Sequence, residues 1–406
     1  MKSVLVGVLL CSTLLWARSG HKPPELLAIT NVSVVDTRHG EIEPNLTVVV
    51  KDGVIFAIAK VAIIDSGPHV RVINGAGKFL IPGLWDMNAH ISGASATTWD
   101  RKALFGLYVA NGVTGLRDLQ LDEDALPLDP LRPEIAASGN VPASQESPLN
   151  ERPTVENLSE VLVACSSREK ELRESFDPEA IPDTTAEVML SRQVRDSYDS
   201  KKAWNLFVKM SNHATWMVPG LVSIDGAANS VSEIGGDPRL KYLPSTLRAE
   251  RKLDDLFGLR EEMKEEAERD LVLVSEMRRA GVQFLAGTNG PSTNSFPGFS
   301  LHQELELLVK GGFTPLQALQ TATINPALHM AKLDKYGVVE RGRIANLVLL
   351  EANPLSDIRN TQKISGVVLR GTYLSRSELD GMLVHAEQWA NRTVDTAQTA
   401  LPHSTE

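Results

Sequence analysis

The sequence predicts an α/β protein with an incomplete (β/α)8-type barrel and a small β layer assembled from both ends of the chain. From Leu26 to Leu80, short runs rich in valine and isoleucine are separated by turn dipeptides, a pattern typical of β hairpins. The same pattern returns between residues 338 and 371, whereas the middle of the chain alternates strand runs with helical patterns. This alternation predicts a parallel sheet, and a length of 406 residues favours a barrel.

The predicted β layer draws on residues 21–80 and 336–375. Its runs are rich in β-branched residues, which suit a pleated and half-buried surface. The candidate strands are Ile29–Val35, Leu46–Val50, Val54–Ala59, Val70–Ile73, Val338–Val339, Ile344–Leu350 and Ile364–Leu369.

The predicted barrel occupies residues 81–335, and residues 376–406 form a C-terminal helix and tail. The candidate strands are Gly83–Met87, Val113–Arg117, Glu134–Ser138, Thr215–Val222 and Val282–Ala286. The candidate helices are Thr246–Ala280, Leu301–Lys310 and two that start at the capping pairs Thr314-Pro315 and Asn325-Pro326. Only 15 residues separate Ser138 from Thr154. A βα unit with its return needs about 30 residues, so we expect about two units to be absent.

Composition excludes several classes of partner. The net charge of −10 argues against nucleic acid and anionic membranes. Two cysteines exclude a disulfide framework and a cysteine-rich zinc module. No central apolar run reaches the roughly 18 residues of a membrane span. A homo-oligomer stays open.

Residues 1–20 predict a secretory signal peptide. Lys2 precedes an apolar run from Val4 to Ala17, and Ser19-Gly20 offers small residues near a cleavage site. A buried first strand or an uncleaved anchor is the alternative. A signal peptide would place the mature protein in the periplasm or outside the cell.

The segment from Phe79 to His90 carries the clearest chemical signal. An apolar run ends in Asp86, Asn88 and His90, each two residues from the next. Residues two apart on a strand point the same way, so Asn88 and His90 are expected to face a barrel mouth together.

This segment resembles the signature Pro-Gly-(Leu/Phe)-(Ile/Trp)-Asp-x-His-x-His of the amidohydrolase superfamily, in its imidazolonepropionase and prolidase-like branch. Further motifs share the resemblance over most of residues 26–375. They are Gly112-Val-Thr-Gly-Leu-Arg-Asp118, Leu285-Ala-Gly-Thr-Asn-Gly290, Pro297-Gly-Phe-Ser-Leu-His-Gln-Glu-Leu305, Gly312-Phe-Thr-Pro-Leu-Gln-Ala-Leu319, Ala322-Thr-Ile-Asn-Pro-Ala327 and Gly342-Arg-Ile-Ala-Asn-Leu-Val-Leu-Leu350.

The resemblance implies a urease-like barrel with a β domain built from both termini. It also implies a small-molecule substrate or ligand, and hydrolysis of C–N bonds in amides, cyclic amides or dipeptides. One or two divalent metal ions, typically zinc, would activate a water molecule, and an aspartate after the last strand would accept its proton.

Three positions depart from the family pattern. Asn88 replaces the first histidine of the pair, Asn157 replaces a ligand histidine, and Asn289 replaces the aspartate that acts as general base. His90 remains as a remnant ligand, or as a histidine bonded to Asn88 or Asn289. Asparagine is a poor zinc ligand and takes up no proton near neutral pH. We therefore expect weak or lost catalysis, with the presence of a bound metal left open. The alternative is a non-catalytic protein that uses the mouth as a ligand pocket.

Other polar residues have two interpretations each. Arg117 and His302 are candidates for contact with substrate or for support of the site, although His302 is equally a packing histidine. Glu146 and Glu156 could supply a replacement carboxylate, but exposure to solvent is the simpler expectation. Cys165 is interpreted as a buried thiol rather than a nucleophile.

Overall fold

The computed structural model describes residues 26–60, 70–92, 99–118, 129–137, 148–156, 158–175, 192–228, 237–248 and 260–399. The predicted signal peptide and the candidates Glu146 and Asn157 lie outside these residues. None of the helices described is both long enough and apolar enough to cross a membrane.

The described strands and helices follow the alternating order expected from the sequence. The strands are β1 (Leu26–Val35), β2 (Ile42–Lys51), β3 (Val54–Ala59), β4 (Val70–Asn74), β5 (Phe79–Pro82), β6 (Leu84–Asp86), β7 (Val113–Asp118), β8 (Glu134–Ala137), β9 (Thr154–Val155), β10 (Trp216–Met217), β11 (Gln283–Phe284), β12 (Leu347–Leu350), β13 (Ile364–Leu369) and β14 (Thr372–Ser375). The α-helices are α1 (Arg101–Ala110), α2 (Leu158–Cys165), α3 (Glu169–Ser175), α4 (Ser200–Asn212), α5 (Leu221–Ala228), α6 (Arg260–Arg279), α7 (Phe299–Lys310), α8 (Pro315–Thr321), α9 (Ile324–His329) and α10 (Arg376–Thr399). Short 3-10 helices span Leu149–Glu151, Pro238–Tyr242 and Ile358–Gln362.

One sheet joins the two ends of the chain. Its order is β14-β13-β12-β5-β1-β2-β3, with β4 paired to β1. Strand β12 lies antiparallel to β5, with Leu347 opposite Pro82 and Leu350 opposite Phe79. The prediction of a composite β layer from both termini is confirmed.

The barrel strands form two parallel groups that meet at their carboxyl ends. One group has the order β6-β7-β8 and the other β11-β10-β9. Backbone hydrogen bonds join the two groups. Met87 N donates to Ala286 O at 2.9 Å, and Ala89 forms a parallel β-bridge with Gly290. The described strands therefore follow one another as β8-β7-β6-β11-β10-β9, in agreement with the barrel fold class. The absence of about two βα units stays a prediction.

Side chains fill the inside of this curved sheet. Gly115 lies directly under the Trp85 ring, where a Cβ atom would fall 2.2 Å from the ring. A larger residue at position 115 would therefore displace the indole. The interior cluster comprises Trp85, Met87, Ala136, Trp216, Val218 and Leu285, with Met330 and Tyr336 packed against it.

The predicted strand Thr215–Val222 is too long. Strand β10 covers only Trp216 and Met217, and helix α5 begins at Leu221. Pro219 has no backbone N–H to donate, and Gly220 adopts a left-handed φ of 59°. These two residues turn the chain from strand to helix.

One predicted helix start is confirmed and the other is wrong. Thr314 caps α8 in a capping box with Gln317, whose backbone N donates to the threonine hydroxyl at 3.2 Å. Helix α9 begins at Ile324, so Asn325 lies within it rather than capping it. The Asn325 amide instead donates to the Phe284 carbonyl at 2.9 Å, which ties α9 to β11. The predicted strand Val338–Val339 lies outside the strands of the sheet, although both side chains are buried.

Candidate functional site

Three of the predicted site residues meet where β6 and β11 end. His90 Nε2 lies 2.5 Å from Asn289 Oδ1. Asn289 N donates to Asn88 O at 2.8 Å, and His90 N donates to Gly290 O at 2.7 Å. Asn289 adopts a left-handed φ of 53°, which asparagine tolerates better than most residues. The alternative interpretation of His90, as a histidine bonded to Asn289, matches this geometry.

Burial differs among these side chains. Asn88 is only 4% exposed, whereas His90 is half-buried. Because an amide oxygen only accepts hydrogen bonds, the His90 Nε2 atom carries the proton in the pair with Asn289. The imidazole is therefore the part of the cluster that solvent or a ligand can reach.

A buried carboxyl group, Asp86, holds both turns that carry these residues. It accepts hydrogen bonds from Asn88 N at 3.2 Å, from Thr288 N at 3.0 Å and from Thr288 Oγ1 at 2.6 Å. Burial raises the pKa of Asp86, while the bonds from Thr288 oppose that shift. Sequence analysis placed Asp86 in the motif but gave it no role.

Arg117 lies inside the barrel rather than at an open pocket. Its guanidinium donates to Met87 O at 3.0 Å, to Thr154 Oγ1 at 3.0 Å and to Glu156 Oε1 at 3.1 Å. Its side chain is 7% exposed and that of Glu156 is 25% exposed. The expectation that Glu156 faces solvent is therefore wrong, because this carboxylate is committed to an ion pair that spans β7 and β9.

His302 occupies a packing position on α7. Its Nδ1 lies 2.9 Å from Thr361 Oγ1 and its Nε2 lies 3.0 Å from Asn111 O. Burial lowers the pKa of His302 to about 4, so the ring is neutral. Both nitrogens are engaged away from Asn88, His90 and Asn289, which fits the packing interpretation.

Cys165 is fully buried at the end of α2. Burial raises the pKa of its thiol to about 12. A thiol in this environment is not a nucleophile near neutral pH, as expected from the sequence.

Glu304 is a buried acid that sequence analysis missed. Its Oε2 accepts a hydrogen bond from Val222 N at 2.8 Å, in the first turn of α5. Burial raises the pKa of Glu304 to about 8, against the opposing bonds from Val222 and Leu221. The signal was present, since Glu304 lies three residues after Leu301 and four before Leu308 on the apolar face of α7.

The residues at the mouth do not fit a zinc ion. Among the described residues, no group of three or more histidine, cysteine, aspartate or glutamate side chains is placed to hold a metal. A zinc site normally takes three or four such ligands. Asn88 and Asn289 offer neutral amide oxygens, which leaves the His90 imidazole as the one strong zinc ligand in this trio.

A sequence model of the amidohydrolase family matches residues 240–374, which include β11, Asn289 and Glu304. Over these residues the chain is similar to the amidohydrolase family. The chain is also 29% identical over 131 residues to adenine deaminase of Rubrobacter xylanophilus, which is 30% of this chain and 22% of that protein. It is 35% identical over 91 residues to ochratoxinase of Aspergillus niger, which is 22% of this chain and 18% of that protein. The chain thus spans only about a fifth of each of these relatives.

Solved structures share the fold over nearly the whole chain. A Xaa-Pro dipeptidase with bound methionine superposes with a TM-score of 0.54 at 17% identity, covering 86% of this chain and 100% of that one. A putative prolidase from Bifidobacterium longum superposes with a TM-score of 0.55 at 20% identity, covering 89% and 99%. The amidohydrolase resemblance of the sequence is confirmed, and so is the fold class.

Proposed function

We propose that this amidohydrolase-family protein acts at its barrel mouth on a small molecule with an amide-type C–N bond, and that it hydrolyses this bond weakly. The observation that carries the proposal is the meeting of Asn88, His90 and Asn289 at the ends of adjacent barrel strands. The family match and relatives named adenine deaminase and Xaa-Pro dipeptidase support C–N chemistry.

The mouth residues have complementary roles toward an amide. The Asn289 side chain offers both an N–H donor and a carbonyl acceptor, which matches the two polar ends of an amide group. His90 donates through Nε2 to Asn289, so Nδ1 is the proton-accepting atom of the ring. The imidazole is therefore the one group of the three that has a nitrogen able to accept a proton from an attacking water.

Binding without catalysis is the second candidate function. It is favoured by Asn289, because an amide at the position of the family's general base takes up no proton. A single general base contributes about 10²- to 10⁴-fold to rate. Loss of this base alone could leave recognition intact with no useful turnover.

A hydrolysis screen separates the two candidates. The panel contains Xaa-Pro dipeptides, N-acyl amino acids, cyclic amides and adenine, and mass spectrometry detects the products. We expect slow turnover of at least one compound, loss of that turnover in His90→Ala, and a gain of about 10²-fold or more in Asn289→Asp. His213→Ala, an exposed histidine at the end of α4, is the matched control and should leave the rate unchanged.

Thermal shifts with the same panel complete the test. A compound that raises the melting temperature without turning over, in a His90-dependent manner, would establish binding alone. Turnover that survives His90→Ala would place the reaction elsewhere. Absence of both turnover and binding would overturn the proposal for this mouth.

We also propose a periplasmic or secreted location, supported by the charged start and apolar run of residues 1–20. Amino-terminal sequencing of the protein exported by its host would test this proposal. A mature chain that still begins at Met1 would contradict it.

A further inference from the structure

We infer that hydrogen bonds hold this barrel mouth together where the family scaffold uses a bound metal ion. We call these bonds the mouth latch: the side-chain bond between His90 and Asn289, and the backbone bonds from Asn289 N to Asn88 O and from His90 N to Gly290 O. The inference concerns how the mouth is built, so it is independent of which molecule the mouth binds.

The latch joins the two strand groups of the barrel at their meeting point. All three bonds cross between the segment after β6 and the segment after β11, at 2.5, 2.8 and 2.7 Å. Asp86 reinforces them from below, because it accepts backbone bonds from both segments at 3.2 and 3.0 Å. Protein hydrogen bonds therefore join the two segments directly.

The latch and a metal ion compete for the same atoms. A metal bound at His90 Nε2 needs the lone pair of that atom, but the bond to Asn289 Oδ1 requires a proton there. Binding through Nε2 would thus break the side-chain bond and displace the Asn289 amide. Neutral amides in return offer little to a dication that prefers imidazole, thiolate or carboxylate.

The carboxylate of Asp86 offers no replacement ligand. Both oxygens of Asp86 already accept hydrogen bonds from Asn88 and Thr288, and its side chain is fully buried. Recruiting Asp86 to a metal would break the bonds that set the position of both turns. Among the described residues, the donor set of this mouth fits a metal-free site.

Cobalt(II) absorption tests the inference without an activity assay. Titration of the purified full chain should give no protein-bound visible band, whereas the double variant Asn88→His, Asn289→Asp should bind about one equivalent through its restored imidazole and carboxylate ligands. Adding His90→Ala to the double variant should abolish the band. Asn212→His, which adds an exposed histidine on α4, is the control for non-specific binding.

Two results would overturn the inference. One is a stoichiometric cobalt or zinc complex of the unmodified chain that His90→Ala removes. The other is a folded double variant that binds no more cobalt than the unmodified chain, since the asparagines would then not be what excludes the metal.

A nuclear magnetic resonance measurement on the unmodified chain serves if the double variant does not fold. Selective ¹⁵N labelling of histidine should show the Nε2-protonated tautomer for His90. The substitution Asn289→Ala should remove the protection of the His90 Nε2 proton from exchange with solvent. An Nδ1-protonated His90 would contradict the latch. This result is separable from the hydrolysis screen, because a metal-free mouth can hold or lack activity.

Discussion

At the scale of single residues, burial shifts the pKa values of two candidate side chains. His302 and Cys165 are both enclosed, and burial lowers the pKa of the first to about 4 and raises that of the second to about 12. His90 is half-buried and bonded to an amide rather than to a charged group. The His90 imidazole is therefore more accessible to solvent or a ligand than either buried side chain.

His302 gives the first prediction, which concerns stability against pH. Its pKa in the folded state, about 4, lies below the ordinary value of 6.5, so the folded state binds fewer protons between these values. The contribution of His302 to the free energy of unfolding is therefore fully present above pH 6.5. It decreases by about 1.4 kcal/mol for each pH unit as the pH falls below 6.5. We expect the stability gap between the unmodified chain and His302→Asn to shrink by this slope as pH falls.

Urea denaturation at several pH values measures that gap. His213→Asn is the control, since His213 is exposed at the end of α4 and should show no such slope. A gap that stays constant from pH 7 to pH 5 would show that His302 is protonated in the folded state.

Cys165 gives the second prediction. A buried thiol whose pKa is raised to about 12 holds almost no thiolate at pH 8, so iodoacetamide should leave it unmodified in the native protein. Peptide mass mapping should find full alkylation in urea. Ser167→Cys, exposed two residues further on, should react readily in the native state. Rapid native alkylation of Cys165 itself would contradict its burial.

Sequence could predict the meeting of the site residues and offered the bond between His90 and Asn289 as one interpretation, but it did not predict the partner of Glu304. The two-residue spacing of Asn88 and His90 and the position of Asn289 after the last strand placed all three at one mouth. The partner of Glu304, by contrast, is the first turn of α5, 82 residues away in the chain. A contact of that kind depends on helix packing, on which local spacing carries no information.

At the scale of elements, helix α5 depends on a side chain from another helix. It starts directly after the Pro219-Gly220 turn, and Glu304 on α7 accepts the backbone N–H of Val222 in its first turn. A carboxyl group at a helix amino terminus satisfies donors that have no partner within the helix. The other oxygen of Glu304, Oε1, has no hydrogen-bond partner within the described residues.

Glu304→Gln gives the third prediction. The folded-state pKa of Glu304, about 8, lies above the ordinary value of 4.5, so the folded state binds more protons between these values. The contribution of Glu304 to the free energy of unfolding is fully present below pH 4.5. It decreases by about 1.4 kcal/mol for each pH unit as the pH rises to 8. Glutamine keeps the acceptor without the charge, so the variant should gain stability over the unmodified chain as pH rises from 5 to 8.

Thermal melting across that pH range measures the effect. Glu261→Gln on α6 is the control, because the side chain of Glu261 is 79% exposed to solvent. A Glu304→Gln variant that loses stability at pH 8 would mean that the ionised carboxylate is needed to cap α5.

Element boundaries were predicted best where a single local capping motif or glycine sets them. The Thr314 capping box and the Gly311 end of α7 follow from short-range contacts and were expected. Strand β10 and helix α9 were misplaced, because Pro219 and Gly220 ended the first and the bond from Asn325 to Phe284 anchored the second. Apolar runs show that a segment is buried but not where its backbone changes conformation.

At the scale of the whole molecule, strand β12 links the β layer to the barrel. Its side chains alternate between two cores: Leu347 and Leu349 pack in the β-layer cluster, and Val348 and Leu350 pack in the large cluster that includes the barrel helices. The barrel is entered at β6, immediately after β5, and Gly83 N donates to Asn346 O at 2.8 Å. A strand from near the carboxyl terminus therefore supports the first barrel strand.

The fourth prediction is that the two cores unfold as one unit. Leu349→Ala removes packing from the β-layer core and Leu350→Ala removes it from the barrel core, and each side chain is no more than 1% exposed. Each substitution should cost about 2–5 kcal/mol, because a buried leucine leaves a cavity that closes only partly. Since both residues belong to the same four-residue strand, each variant should lower the temperature of a single shared transition in scanning calorimetry.

Leu328→Ala, at a leucine that is 47% exposed, should shift this transition little. If the β layer and the barrel were independent units, Leu349→Ala would lower one transition, Leu350→Ala would lower another, and the sheet built from both termini would not couple the ends of the chain to the mouth.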